Sequence, residues 1–208
     1  MNDSFAEKRR LMVEQQLRLR SIRDRAVLAA MDKVPRELFV AEELQGSSYV
    51  DGPLPINCRQ TISQPYIVAY MTEELELTGG ESVLEIGTGS GYQAAVLAET
   101  AARVYTVEVI PELSASAREL LEGRLGYRNI FFRIGRGQEG WPEFAPFDRI
   151  MLTAAPVEFP AQLFGQLGEG GIAIAPVGAD SQCLVRYRKK DGKILADELI
   201  GVIFVPLV

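Results

Sequence analysis

Two rhythms of apolar residues alternate along this chain. Over residues 4–20, Leu11, Val13, Leu17 and Leu19 stand among Lys8, Arg9, Arg10, Glu14, Arg18 and Arg20, which predicts a helix with one covered face. A second helix is expected from Asp24, a residue type suited to capping, to Met31, with Val27, Leu28 and Met31 on one side. Pro35 closes this part, 37–40 reads as a short helix or turn, and 66–77 is a further helix with Ile67, Val68, Met71 and Leu75 apolar. After Gly79-Gly80 the pattern changes. The segments 83–86, 103–108, 130–134, 147–152 and 172–175 have the length and apolar character of buried strands, with helices at 93–98 and 111–121 between the first three. Two further strands, 183–188 and 194–205, flank Asp191-Gly192, a hairpin signal. The pattern predicts an α/β fold: a doubly wound, mostly parallel sheet of seven strands with a helical N-terminal extension and an antiparallel edge hairpin.

Two stretches stand outside this rhythm. Residues 49–65 lack periodicity and carry Gly52, Pro53, Pro55 and Pro65. An irregular segment of that length is either a plain connector or a binding lid, and the pattern alone favours neither. The other is Val83-Leu84-Glu85-Ile86-Gly87-Thr88-Gly89-Ser90-Gly91-Tyr92, a strand running through a glycine turn into the helix Gln93 to Ala98. Such a turn lets a ligand lie against the main chain at the carboxyl edge of a parallel sheet. The dinucleotide fingerprint would need its third glycine where Tyr92 stands, and no Gly-Lys-Ser/Thr follows as in a phosphate-cradling loop. Glu108 ends the next strand, where a carboxylate can accept from both hydroxyls of a ribose. Glu85 suits the cationic amino-acid end of a ligand. Together they point to S-adenosylmethionine, against the alternative of a merely structural glycine turn.

Composition narrows the chemistry. With 208 residues, 47% of them hydrophobic, the chain fits a single domain, 1–77 supplying the N-terminal helices and substrate-side loop and 78–208 the sheet and hairpin. No apolar run is long enough for a membrane span, and the polar start is no signal peptide. Cys58 and Cys183 have neither disulfide nor metal spacing, so free thiols in a reducing cytoplasm are expected, with Cys58 a packed small side chain or a reactive thiol. A net charge of −6 argues against a nucleic-acid partner, and the N-terminal basic cluster reads as a solvated helix face. The chain contains no histidine, which removes the commonest general base and metal ligand.

The runs Gln60-Thr61-Ile62-Ser63-Gln64-Pro65-Tyr66, Val83 to Ala98, Gly140-Trp141-Pro142, Ala145-Pro146-Phe147-Asp148 and Phe204-Val205-Pro206-Leu207 resemble the protein-L-isoaspartate O-methyltransferase family, over about Met12 to Val208. The glycine turn alone indicates only a class I methyltransferase; the Thr-Ile-Ser-Gln-Pro loop and the Val-Pro-Leu terminus are the specific signals. The resemblance implies a Rossmann-like class I fold, S-adenosylmethionine as methyl donor, and isoaspartyl residues of proteins and peptides as acceptor, in a monomer without metal. It implies that Thr61, Ile62, Ser63, Glu85, Gly87, Thr88, Gly89, Gly91, Glu108, Val109, Arg136, Gly137 and Thr153 surround the donor. Arg59, Gln60, Thr61, Val205 and Leu207 would hold the acceptor, with Ser63 as the catalytic hydroxyl. Two departures stand out: Arg136 occupies a place where the family usually has aspartate, and Asn57-Cys58-Arg59 replaces a Gly-aromatic-or-His-Gly run. Other readings are a class I enzyme for a different acceptor and a donor-binding homologue with weakened activity.

Overall fold

The computed structural model describes residues 3–208. Helix α1 (Asp3–Met12) does not run regularly to residue 20 as expected. It widens over 13–17, where Arg18 N–H reaches Val13 O, then tightens and stops at Ser21 in the left-handed conformation. The change of pitch rotates the apolar stripe: Met12, Val13 and Leu17 are buried, whereas Leu11 and Leu19 are exposed. Helix α2 (Arg25–Lys33) begins as expected, with the Asp24 carboxylate accepting from Ala26 and Val27 N–H. The N-terminal arginines are engaged within the chain. Arg9 bonds to Asp32 O and the Tyr49 hydroxyl, and Arg20 pairs with Asp51 at 2.9 Å while lying over the Tyr66 ring.

The 49–65 stretch holds a two-stranded antiparallel ribbon, β1 (Leu54–Pro55) with β2 (Thr61–Ile62), too short to show as alternation in the sequence. Helix α3 (Pro65–Glu74) follows, ending three residues earlier than expected because Glu76 turns left-handed and Arg149 donates to Leu75 O and Glu76 O.

Seven strands form the main sheet: β3 (Ser82–Ile86), β4 (Arg103–Glu108), β5 (Ile130–Ile134), β6 (Phe147–Leu152), β7 (Leu167–Val177), β8 (Gln182–Lys190) and β9 (Lys193–Val202). Their order is β5-β4-β3-β6-β7-β8-β9, parallel up to β7 and antiparallel at the last two pairings. The expected hairpin is present, Asp191 and Gly192 both taking positive φ between the paired Lys190 and Lys193. Helices α4 (Tyr92–Thr100), α5 (Pro111–Arg118) and α6 (Ala161–Gln166) complete the layers. The sequence missed α6 and the first five residues of β7.

Alternation along each strand divides the core. Val83, Val104 and Ile130 pack on the side of α2, α3 and α4, while Leu84, Ile86, Tyr105 and Val107 pack with Leu163 of α6 on the other. Glu85, Thr106 and Glu108 therefore share the α4 side. The chain leaves β9 at Val202, earlier than expected, and its tail crosses the carboxyl ends of the strands. There Ala155 N–H donates to Val205 O and Leu207 N–H to Ala155 O, each at 2.8 Å. Among the described residues no helix is long and apolar enough to cross a membrane.

Candidate active site

The glycine turn joins β3 to α4 at the carboxyl edge of the sheet. Gly87 has φ +98°, and a Cβ there would collide with Thr153 Oγ1, which donates to Ile86 O at 3.0 Å and Gly87 O at 2.6 Å. A side chain at 87 would be strained by its backbone and would displace Thr153 as well. Gly91, at φ +86°, instead faces Leu121 and Ala117, so its role is to let α4 approach the helix that follows β4.

Behind the turn lies a buried polar chain. Thr88 Oγ1 and Thr106 Oγ1 are 2.6 Å apart, and Thr106 donates to Glu85 Oε2 at 2.5 Å. Glu85 is fully buried and its Oε1 has no partner among the described residues. Burial foremost, with the neighbouring Glu108 charge adding to it and the Thr106 hydroxyl opposing it, pushes its pKa up to about 8. The folded chain thus keeps a proton that an unfolded carboxyl releases near pH 4.5. Stability should be least affected below that value and should fall as pH rises through about 8. Glu85→Gln removes this dependence. Its melting temperature should gain on that of the unsubstituted chain as pH rises from 5 to 9. Parallel melting curves with pH would contradict a protonated Glu85.

Glu108 is the second acid and lies nearer the surface of the turn. Its Oε2 accepts from Gly89 N–H at 2.8 Å and its Oε1 from Ile110 N–H at 3.0 Å, which fixes the carboxylate plane. The remaining lone pairs are free for a ligand. This carboxylate edges a cavity of about 220 Å³ whose apolar wall is Val109, Ile110 and Leu113 and whose floor is Gly87, Gly89 and Gly137. A Cβ on Gly137 would collide with Ile86, so bare backbone is required there. One fixed carboxylate, exposed main chain and a flat apolar wall fit a nucleoside, and so fit S-adenosylmethionine.

A second, larger space of about 650 Å³ opens on the other side of the tail. Thr61, Ser63 and Gln64 line one flank, and Gln182 with residues 201–205 the other. Gln182 holds that flank in place, accepting from Phe204 N–H at 2.6 Å and donating to Phe204 O at 3.1 Å. Thr153 and Val205 line both spaces, so the two meet there.

Of the residues singled out in the sequence, Gly87, Gly89, Glu108, Val109, Gly137 and Thr153 surround the smaller cavity, and Thr61 and Ser63 the larger. Arg59 and Gln60, expected with the acceptor, lie on the smaller cavity with Leu207. Glu85, Thr88, Ile62 and Gly91 are buried behind these spaces and line neither. Arg136 is exposed, and its side chain makes no hydrogen bond or ion pair among the described residues. Cys58 is exposed rather than packed, and Cys58 and Arg59 both take φ +58°, a conformation that glycine adopts without strain. The apolar wall at Ile110 and Leu113 and the flank at Gln182 were not singled out. Only the rule that ligands sit beyond the carboxyl ends of parallel strands could have found them.

Comparison with known proteins places the chain in a family. The profile of the family described as protein-L-isoaspartate(D-aspartate) O-methyltransferase matches residues 7–208. A protein-L-isoaspartate O-methyltransferase of Picosynechococcus sp. is 53% identical over 199 residues, covering 96% of this chain and 89% of the relative. One of Methanoculleus marisnigri is 52% identical over 207 residues, covering 99% and 94%. A solved protein-L-isoaspartate O-methyltransferase superposes with a TM-score of 0.87 at 30% identity, over 95% of this chain and 65% of that one. A Plasmodium falciparum protein assigned to the same enzyme and solved in complex with S-adenosyl-L-homocysteine gives 0.82 at 27% identity, over 96% and 98%. The chain belongs to the protein-L-isoaspartate O-methyltransferase family.

Proposed function

We propose that the methyl transfer characteristic of this family, from S-adenosylmethionine to the free carboxylate of L-isoaspartyl residues, takes place in this chain where its two spaces meet at Thr153 and Val205. The observation that carries this reading is that junction itself, with Glu108 on one side and Ser63 on the other. The donor, when bound, supplies a methyl group on a positively charged sulfur. Glu108 would hold its ribose hydroxyls, Gly87 and Gly89 its backbone-facing side, and Val109 and Gly137 the base. An acceptor carboxylate is ionised at neutral pH, its ordinary pKa being about 4. No general base has to be provided, which suits a chain without histidine. The work of the protein is then alignment. The Ser63 hydroxyl donates to one carboxylate oxygen and leaves the other free to attack, while Thr61 and the tail around Val205 hold the peptide. A backbone amide nitrogen can then attack the carbonyl of the methyl ester that forms, releasing methanol and closing a succinimide, and water opens the ring partly to normal aspartate without further help.

The same reading treats the chain as one domain, acting as a monomer in the cytoplasm on proteins and peptides. The net charge of −6 and the internal pairing of Arg9 and Arg20 support the absence of a nucleic-acid partner. Titration calorimetry with S-adenosylhomocysteine tests donor binding. Saturable one-to-one binding is expected, with no heat from NAD under the same conditions, and failure to bind S-adenosylhomocysteine would overturn the reading.

Arg136 carries a separate prediction. A guanidinium has donors only and cannot accept from the adenine amine. Its exposure leaves the base to Gly137 and the apolar wall. Arg136→Asp should tighten S-adenosylhomocysteine binding by up to about 1–2 kcal/mol, the scale of one hydrogen bond to a charged acceptor. Weaker binding by the Asp variant would mean that Arg136 makes a useful contact of its own.

A further inference from the structure

The largest fully buried side chain is an arginine, Arg36, on the turn that follows α2. Its Nε donates to Ser48 O at 2.7 Å and its Nη2 to Ser63 O at 2.8 Å. The guanidinium lies 4.8 Å from the ring centroid of Tyr92, the first residue of α4 after the glycine turn. No carboxylate forms an ion pair with it among the described residues, and Nη1 has no partner. Taking such a charge out of water is expensive, and an apolar residue of similar volume is often as stable or more so. What an apolar residue cannot supply is a rigid fork of donors that bridges two carbonyls.

The carbonyl it holds is a specific one. Helix α3 starts its own bonding with Val68 N–H on Gln64 O, so Ser63 O stands just outside the helix. The guanidinium engages it instead and thereby fixes the backbone that carries the Ser63 hydroxyl. Through Tyr92 the same side chain rests on the helix that leads out of the glycine turn. We infer that Arg36 is a positioning residue: it sets the Ser63 hydroxyl relative to the donor cradle, holding the acceptor side and the donor side of the site in register. This rests on the reading of Ser63 given above. Arg36 itself touches neither cavity.

The test is a double-mutant cycle of Arg36→Met and Ser63→Ala on the full chain. Rate is measured by single-turnover methyl transfer to an isoaspartyl peptide, donor affinity by S-adenosylhomocysteine calorimetry, and folding by thermal melting. Arg36→Met should slow transfer by about tenfold through misplacement of the hydroxyl, with a cooperative melt and little change in donor affinity. In the Ser63→Ala background the same substitution should cause no further loss, since there is no hydroxyl left to place. Arg36→Lys can reach only one of the two carbonyls and should fall between the two; it carries the cycle if the Met variant aggregates. A Ser63→Ala chain as active as the unsubstituted one would sink the reading of Ser63. A slow Ser63→Ala chain in which the Arg36 loss multiplies in full, or an Arg36 variant with unchanged transfer, would overturn the positioning role alone.

Discussion

Ser63→Ala should slow methyl transfer about 100-fold, the loss that follows when a reacting group is no longer held in line. S-adenosylhomocysteine affinity should stay unchanged, because Ser63 lines the larger space and not the donor cavity. Folding should also survive: the bond that anchors this residue is made by its carbonyl to Arg36, and alanine keeps that carbonyl. Single-turnover rates at saturating donor separate the two effects. If the variant transfers at the unsubstituted rate, Ser63 is a scaffold residue and the acceptor carboxylate is oriented by something else on that flank.

Glu108→Ala should act on the opposite side of the junction. The carboxylate is nearly buried, is fixed by Gly89 and Ile110 N–H, and presents its free lone pairs to the smaller cavity. Losing hydrogen bonds to a charged acceptor costs roughly 1.5–3 kcal/mol, and the two amides left without a partner loosen the turn as well. S-adenosylhomocysteine binding should weaken by that amount in calorimetry, and transfer should recover when donor concentration is raised. The two variants are therefore distinguishable: one loses rate at saturation, the other loses affinity. Unchanged affinity in a folded Glu108→Ala chain would remove this residue from the donor site.

Much of this arrangement was legible in the residues alone, for identifiable reasons. The strands β3, β4 and β6 were readable because they lie inside the sheet and are largely buried on both faces, which leaves apolar runs; β5, at the sheet edge, keeps such a run although Phe131 and Ile134 are exposed. Asp24 and Asp191-Gly192 were readable because cap and turn chemistry is local. The glycine turn and Glu108 follow the same logic, since a tight strand-to-helix turn and a strand-ending acid are features of a few adjacent residues. Three-dimensional consequences were less accessible. Nothing in the spacing of Arg18, Leu19 and Arg20 shows that the helix widens before them and turns Leu19 outward. The early end of α3 depends on Arg149, a residue far along the chain. Glu85 looked available to a ligand because it adjoins the glycines, yet it sits inside β3, fully buried behind the turn, where it accepts from Thr106 and does not line the cavity. Arg36 carried no signal at all: in the sequence it is one more charge after a proline, and only the fold closes around it.

Transfer of a labelled methyl group from S-adenosylmethionine by the purified chain, to an isoaspartyl peptide and to its normal-aspartate twin, measures donor use, acceptor chemistry and selectivity in one assay. Label is expected in the isoaspartyl peptide as a base-labile ester and not in the twin. Equal labelling of both peptides, or labelling of neither by a chain that binds S-adenosylhomocysteine, would contradict it.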